Sequence, residues 1–434
     1  MTARTPHPPS LWAAVSPPTP ERPPLTGDAT ADVAIVGAGF TGLSTALALA
    51  ARGVRPVVLE AAAVGWGGSG RNNGQVIPVL SKAEPDELEA RFGETGERLV
   101  ALIRDSASIL FDLVRAEGIE AEAEQTGWVQ PAHAPDRVRV SAARVEAWAK
   151  RGAPAQMLDR EETTALMGSS YWHGAMLNPT GGSINPLRLA QGMAAAAERH
   201  GATVHEDTPV SRLERAGDGW RLETPTGRLT ARAVLLATNA YTDAHAPGLA
   251  RRLARTVVPV PSWQMATEPL PDAVAKTVTP GRHAVSDTRG DLHFFRLDAR
   301  NRLVTGGALV TKVNGTERIR RLATARVARM FPQIGPVGFT HIWNGDIGIT
   351  WDRMPHVHRL GPGLWTWIGC NGRGVALSVA LGPQLAAALL GDREGAAALP
   401  VTDVHPIPGH ALGRRLATLM LPVYRRRDRR PLPA

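Results

Sequence analysis

A short apolar run at residues 32–36 ends in Gly37-Ala38-Gly39-Phe40-Thr41-Gly42, and an alanine- and leucine-rich stretch follows to Ala51. Strand, glycine turn and helix in that order are the setting a dinucleotide-binding fingerprint requires. The first glycine permits the tight turn, the second lets backbone approach a pyrophosphate, and the third lets strand and helix pack closely. Phe40 and Thr41 open the helix, whose free N–H groups and partial positive charge suit phosphates. Val57-Val58-Leu59 reads as the next strand and completes a βαβ unit. Glu60 ends that strand, where a carboxylate accepts from a ribose hydroxyl and disfavours a 2′-phosphate, so NADP is not expected. The competing reading is a glycine-rich turn that holds no ligand.

The chain around this unit has 434 residues, which suggests two to four domains or fewer large ones. With 43% hydrophobic and 21% charged residues, disorder as the overall state is excluded. The single cysteine, Cys370, excludes an internal disulfide and a multi-cysteine zinc site, and it fits a reducing, cytoplasmic setting. No metal is expected, because the histidines lack metal-ligand spacing. The formal charge of +9 comes almost wholly from arginine spread along the chain. Its one dense cluster, residues 424–430, reads as a solvated tail, and no nucleic-acid partner is expected. Residues 33–51 and 375–391 carry no formal charge, yet glycine, proline or small polar residues interrupt both, so no membrane span is expected.

Residues 1–27, with eight prolines between Pro6 and Pro24, form an extended arm that Leu11 and Trp12 dock onto the body. Helices are expected over 85–117, 186–200, 317–330 and 373–390, the last being the final regular element. Strands are expected at 203–205, 221–224, 233–237, 292–297, 302–305 and 338–343.

Two further glycine-rich segments stand out. Residues 65–75, with five glycines, Arg71, Asn72 and Asn73, cannot be the interior of a strand or helix. They read as a ligand loop, or else as a flexible surface loop. Trp367-Ile368-Gly369-Cys370-Asn371-Gly372-Arg373-Gly374 is a second strand–turn–helix, whose helix N-terminus could meet another part of the same ligand. Two such sites suggest a long ligand with phosphates at one end and a redox ring at the other.

With these segments, the chain resembles the FAD-dependent oxidoreductases of the D-amino-acid oxidase and glycine/sarcosine oxidase superfamily, in particular the gamma-glutamylputrescine oxidoreductase branch. Ala237-Thr238-Asn239-Ala240-Tyr241, Trp343-Asn344-Gly345 and residues 350–356 carry the remainder of the likeness, which spans about 10–395. It implies an α/β fold, α+β overall: a Rossmann-like FAD-binding domain with an interleaved substrate domain on a mostly antiparallel sheet. The expected division is an arm at 1–27, an FAD-binding domain from 28–84, 150–250 and 338–396, a substrate domain from 85–149 and 251–337, and an extension at 397–434.

By matching position, Gly37, Gly39 and Gly42 would hold the FAD pyrophosphate and Glu60 the ribose. Gly68, Ser69, Arg71, Asn72, Asn73, Gly74 and Gln75 would run along pyrophosphate and flavin. Val210 would offer backbone to adenine, Thr238 would pass under the nucleotide, and Gly372, Arg373 and Gly374 would lie by the pyrimidine end of the ring. The implied chemistry is hydride removal from a carbon bearing an amine to flavin N5, followed by imine hydrolysis, with O2 or another acceptor reoxidising the flavin. The sarcosine branch attaches flavin through a cysteine in the segment that here reads Ile349-Thr350-Trp351-Asp352, so the FAD is expected to be noncovalent and Cys370 a small buried residue. The lysine that some members use toward oxygen has no counterpart. Trp263, Gln264, Arg296, Trp343, Asp346, Trp351 and His356 are substrate candidates, each weighed against a structural role; for His356 a loop-fixing hydrogen bond is favoured. Oxidation of a specialised biosynthetic intermediate, an RNA-modifying flavoprotein and a noncatalytic nucleotide-binding protein are the alternatives.

Overall fold

The computed structural model describes residues 5–311 and 313–432. Its first sheet has eight strands, and its central run is ordered Leu364–Ile368, Gly227–Leu236, Gly27–Val36, Pro56–Leu59, Thr203–His205, all parallel. His356–Gly361 adds an antiparallel edge, and Arg212–Ala216 with Gly219–Glu223 form a hairpin against Gly227–Leu236. Strands buried on both faces need near-continuous apolar runs, as in residues 33–36. Val33 and Ile35 face the main helical core, while Ala34 and Val36 face a second core with Leu222, Leu236 and Ile368. The helices Phe40–Ala50, Glu94–Ala116, Pro186–Arg199 and Gly374–Leu390 cover the first face.

The second sheet also has eight strands: Phe339–Thr350, Val257–Pro269, Arg302–Gly307, Phe294–Leu297, Ala284–Ser286, Trp128–Pro131, Ala175–Asn178 and Gln156–Leu158 in order. Every pairing is antiparallel except that of Ala284–Ser286 with Trp128–Pro131. Trp172, Phe295 and Phe331 fill the core beneath it, and helix Gly315–Met330 covers that core. A ribbon, Gln75–Val76 with Gly182–Ser183, lies apart from both sheets. No helix among the described residues is long and apolar enough to cross a membrane.

Several expectations need correction. Strands Gln156–Leu158, Ala175–Asn178 and Phe339–Thr350 belong to the second sheet, so this sheet crosses the expected boundaries at 150 and 338. Connectivity in sequence says nothing about which sheet edge a strand completes. The helix expected over 85–117 is two, Pro85–Phe92 and Glu94–Ala116, parted by Gly93 at φ +56°. Gly374–Leu390 is not the last regular element, because His410–Leu416 and Leu421–Asp428 follow it. Nor is the basic run a free tail: Arg425 pairs with Asp291 at 2.8 Å, and Asp428 accepts from the Gly290 N–H at 2.9 Å.

Candidate active site and cofactor cleft

One cleft of about 660 Å³ runs from the end of the parallel strands to the second sheet. At its nucleotide end the glycines are required sterically. Gly37 has φ +107°, and a Cβ there would lie 2.9 Å from the Ala237 carbonyl oxygen. A Cβ on Gly39 would meet Ser69 Oγ at 2.8 Å, and one on Gly42 would sit 2.0 Å from the Gly37 carbonyl oxygen. Gly37, Gly39, Phe40 and Thr41 line the cleft, whereas Gly42 lies behind it and sets the strand–helix approach. Glu60 faces the cleft and accepts from the Ala38 and Ala62 N–H groups at 2.7 and 3.1 Å. Enclosure by protein pushes its carboxyl above the ordinary range, with those two donors opposing the shift. An acceptor held there is matched to a ribose hydroxyl, so the cradle fits the adenosine half of FAD.

Residues 65–75 are ordered by their own side chains. Asn72 Oδ1 accepts from the Gly74 N–H at 2.7 Å, and Asn73 Oδ1 accepts from the Gln75 N–H at 3.0 Å. Ser69 Oγ accepts from the Phe40 N–H at 3.0 Å, which ties this loop to the helix start. Arg71 donates to Tyr241 Oη at 3.0 Å and lies over the Trp66 ring, and Tyr241 Oη also accepts from the Asp346 N–H at 2.8 Å. Gly68, Ser69, Arg71, Asn72, Asn73 and Gln75 line the cleft. Gly74 does not; its φ is +78°, and a Cβ would fall 2.0 Å from the Ile184 carbonyl oxygen. Val210, Thr238, Gly372, Arg373 and Gly374 also line the cleft, so segments far apart in sequence meet there. Cys370 is half-buried on this wall rather than fully buried, because the turn it begins opens onto the cleft.

The substrate candidates divide. Gln264 and Asp346 line the cleft. Trp263 packs in the second core, where its ring edge would lie 2.9 Å from a Cβ on Gly315. Arg296 is buried and donates to the carbonyls of Asn73, Ile184 and Leu297 at 2.6, 2.7 and 3.1 Å; it clamps the ligand loop. Trp343 is buried too, donating from Nε1 to the Arg71 carbonyl at 2.8 Å. Trp351 is 82% exposed and lies away from the cleft. His356 bonds Asp352 at 3.0 Å and Thr402 at 3.1 Å and stacks on His358, the loop-fixing role.

Beyond the turn at Gly372-Arg373-Gly374 the cleft opens into a chamber that sequence reading missed. Its walls carry Lys82, Arg144, Ser286, Asp287, Arg289 and Arg353, with Leu421 from the C-terminal helix. Burial raises the Asp287 carboxyl to about 6, against the pull of its Arg289 partner. Arg353 lies in the 350–356 stretch that carries part of the likeness, but no local pattern announces the others; together they come from five separate segments.

A parallel sheet with a glycine turn at one end of a cleft that reaches a second sheet defines the class of nucleotide-binding α/β architectures with an attached ligand cleft. The family described as "DAO: FAD dependent oxidoreductase" matches residues 32–388, and the chain belongs to it. It is therefore an FAD-dependent oxidoreductase. Gamma-glutamylputrescine oxidoreductase of Escherichia coli (strain K12) is 31% identical over 388 residues, 89% of each chain. The probable oxidoreductase OrdL of Rhizobium meliloti (strain 1021) is 31% identical over 435 residues, covering 99% of this chain and 100% of that one. Among solved structures, glycine oxidase from Geobacillus kaustophilus shares the fold, with a TM-score of 0.70 at 22% identity over 84% of this chain and 95% of that one.

Proposed function

We propose that the chain oxidises a C–N bond of a small amine or amino-acid derivative, and that the imine formed hydrolyses to a carbonyl compound and an amine or ammonia. The observation that carries this reading is the continuity of the cleft: nucleotide cradle and chamber are one space, joined at Gly372-Arg373-Gly374. The 31% identical Escherichia coli relative carries an amine derivative in its name, which supports the same substrate class. When bound, noncovalent FAD supplies at N5 the acceptor for the hydride of the C–H beside nitrogen. The protein's work is positioning. Glu60 and the glycine turn hold the adenosine half, and the loop 65–75 is held at its back by Arg296, Trp343 and Trp12. The second sheet and the C-terminal helix wall the chamber and restrict water. Electrons leave to O2 or another acceptor.

The amine must be neutral to release hydride, so oxidation accelerates as pH rises through the pKa of the bound amine. Anaerobic mixing of the yellow protein with a panel of amines tests the reading. Loss of absorbance near about 450 nm with one class of amine, faster at higher pH, is expected. A colourless protein, or a flavin that no amine bleaches, would refute it. Acid precipitation should release the yellow chromophore into the supernatant.

A further inference from the structure

The described residues expose ten large apolar side chains, and most of them gather around the C-terminal helices. Leu412, Leu416, Leu419, Met420 and Val423, each between 39% and 61% exposed, lie on the helix His410–Leu416, the turn Ala417–Met420 and the helix Leu421–Asp428. Three more stand on segments bonded to these elements. Exposed Trp351 is two residues from Arg353, which donates to Tyr424 Oη at 2.8 Å. Exposed Val313 follows the Val310 carbonyl, which accepts from Thr418 Oγ1 at 2.8 Å. Exposed Val140 stands in the helix turn after Arg137, whose guanidinium donates to the Arg427 and Arg430 carbonyls at 3.3 and 3.2 Å. The same stretch is basic: residues 410–430 contain seven arginines and one acid, Asp428. Arg425 pairs with Asp291 at 2.8 Å. Arg414, Arg415, Arg426, Arg427, Arg429 and Arg430 are exposed and have no carboxylate partner among the described residues. The acids alongside are engaged: Asp428 accepts from the Gly290 and Asp291 N–H groups, Asp291 is shared by Arg326 and Arg425, and Asp136 accepts from the Leu432 N–H beside Arg137.

Helices that mix protruding aliphatic side chains with unanswered arginines suit the boundary layer of an anionic bilayer, where leucine enters the acyl region and guanidinium stays with the phosphates. We propose that residues 410–430 dock the protein on a membrane surface bearing anionic lipid. A second copy of the chain is a poorer occupant, because a two-fold interface would set these arginines against their own counterparts. A nucleic acid would answer the arginines and leave the five aliphatic side chains facing its charged backbone. An anionic bilayer satisfies both kinds of side chain at once. The face lies outside the residues that match the family, so the shared fold does not specify it. Leu421, buried on the inner side of the same helix, lines the cleft, and half-exposed Val140 lines it where it meets the surface. Docking therefore sets the C-terminal wall of the chamber at the lipid boundary, and the inference holds whatever amine the chamber takes.

The test uses the FAD-loaded protein and two kinds of vesicle, phosphatidylcholine alone and phosphatidylcholine with about one-third phosphatidylglycerol to supply the surface charge. Co-sedimentation with the anionic vesicles is expected, with little on the neutral ones. Raising salt from about 0.1 to about 0.5 M should weaken it about tenfold as the charges are screened. Arg426→Gln together with Arg427→Gln should weaken binding about thirtyfold, the combined effect of two arginines at an anionic surface. Leu416→Ser together with Leu419→Ser should weaken it about tenfold by removing apolar area from the acyl boundary. Arg98→Gln with Leu390→Ser, an exposed arginine and leucine on the helices Glu94–Ala116 and Gly374–Leu390, should change nothing. An unaltered flavin spectrum and melting temperature show that each variant is folded. A second readout needs no variant: hydrogen exchange over residues 410–430 should slow on anionic vesicles and stay unchanged on neutral ones. Absence of binding to anionic vesicles, binding that neither pair of substitutions weakens, or exchange that the anionic vesicles leave unchanged overturns the proposal. A concentration-dependent dimer that the leucine substitutions dissolve, without vesicle binding, also overturns it and assigns the face to a second copy.

Discussion

Arg296 and Arg373 are both buried guanidinium groups without a carboxylate, and their surroundings give them different work. Arg296 bonds three backbone carbonyls, so its charge is spread over dipoles that hold residues 73–74 against Ile184. Burial lowers its pKa to about 10, which still leaves it charged at neutral pH. Arg373 has almost no such bonding and stands at the junction of cradle and chamber. Arg296→Met should therefore destabilise the fold by about 3 kcal/mol, since three acceptors lose a charged donor. The loss should appear as a lower melting temperature and poorer FAD retention. Survival of both would show that the loop holds without the clamp.

At the scale of the element, the N-terminal arm backs the loop 65–75 that lines the cleft. Ser10 caps a single turn, Leu11–Val15, that places Leu11 and Trp12 fully out of solvent. Trp12 donates to the Asn72 carbonyl at 2.8 Å, packs edge-on against Trp343, and lies under the Arg296 guanidinium. Two indoles thus hold consecutive carbonyls of the ligand loop, Arg71 through Trp343 and Asn72 through Trp12. Trp12→Ala opens a cavity and frees that carbonyl, at a cost of about 3–5 kcal/mol. We expect FAD affinity, measured by flavin fluorescence on release, to fall with stability. A variant that melts early but binds FAD normally would confine the arm to a structural role.

At the scale of the whole molecule, the C-terminal extension closes the chamber through bonds to distant segments. His133 bonds Thr288 Oγ1 at 2.8 Å through Nδ1 and the Asp428 carbonyl at 3.1 Å through Nε2. A carbonyl can only accept, so Nε2 carries the proton and Nδ1 accepts from the hydroxyl. Burial, and then the charge of Arg289, lower the His133 pKa from 6.5 to about 4; Asp428 pulls the other way and Arg137 adds to the lowering. The unfolded histidine therefore binds a proton that the folded one refuses. Its contribution is full above 6.5 and is lost as pH falls toward about 4. Hydrogen exchange over residues 421–428, corrected for intrinsic rates, should rise as pH drops from 7 to 5. His133→Gln should flatten that rise, and protection that ignores pH in the unaltered protein would count against the link.

Local chemistry made part of this molecule readable in advance. Gly37, Gly39 and Gly42, the flanking apolar strand and Glu60 determined the strand–turn–helix at one end of the cleft, because turn geometry and strand–helix spacing depend on adjacent residues alone. The Asn-rich segment was legible as irregular backbone for the same reason, and the fold sets it along the cleft. What only the tertiary structure decided is where side chains from separated segments point. Arg296, Trp343 and Trp351 carried the right chemistry for substrate contact, yet the first two face the back of the loop and the third faces solvent. Lys82 carried no local signal, Arg353 only its place in the 350–356 stretch, and the fold brings both to the cleft, with Tyr424 bonded to Arg353. The arginine-rich end read as a tail because its partner, the 287–293 loop, is more than a hundred residues away. Short-range order is written in neighbouring residues; a binding chamber is a convergence of distant ones, fixed only once the sheets have packed.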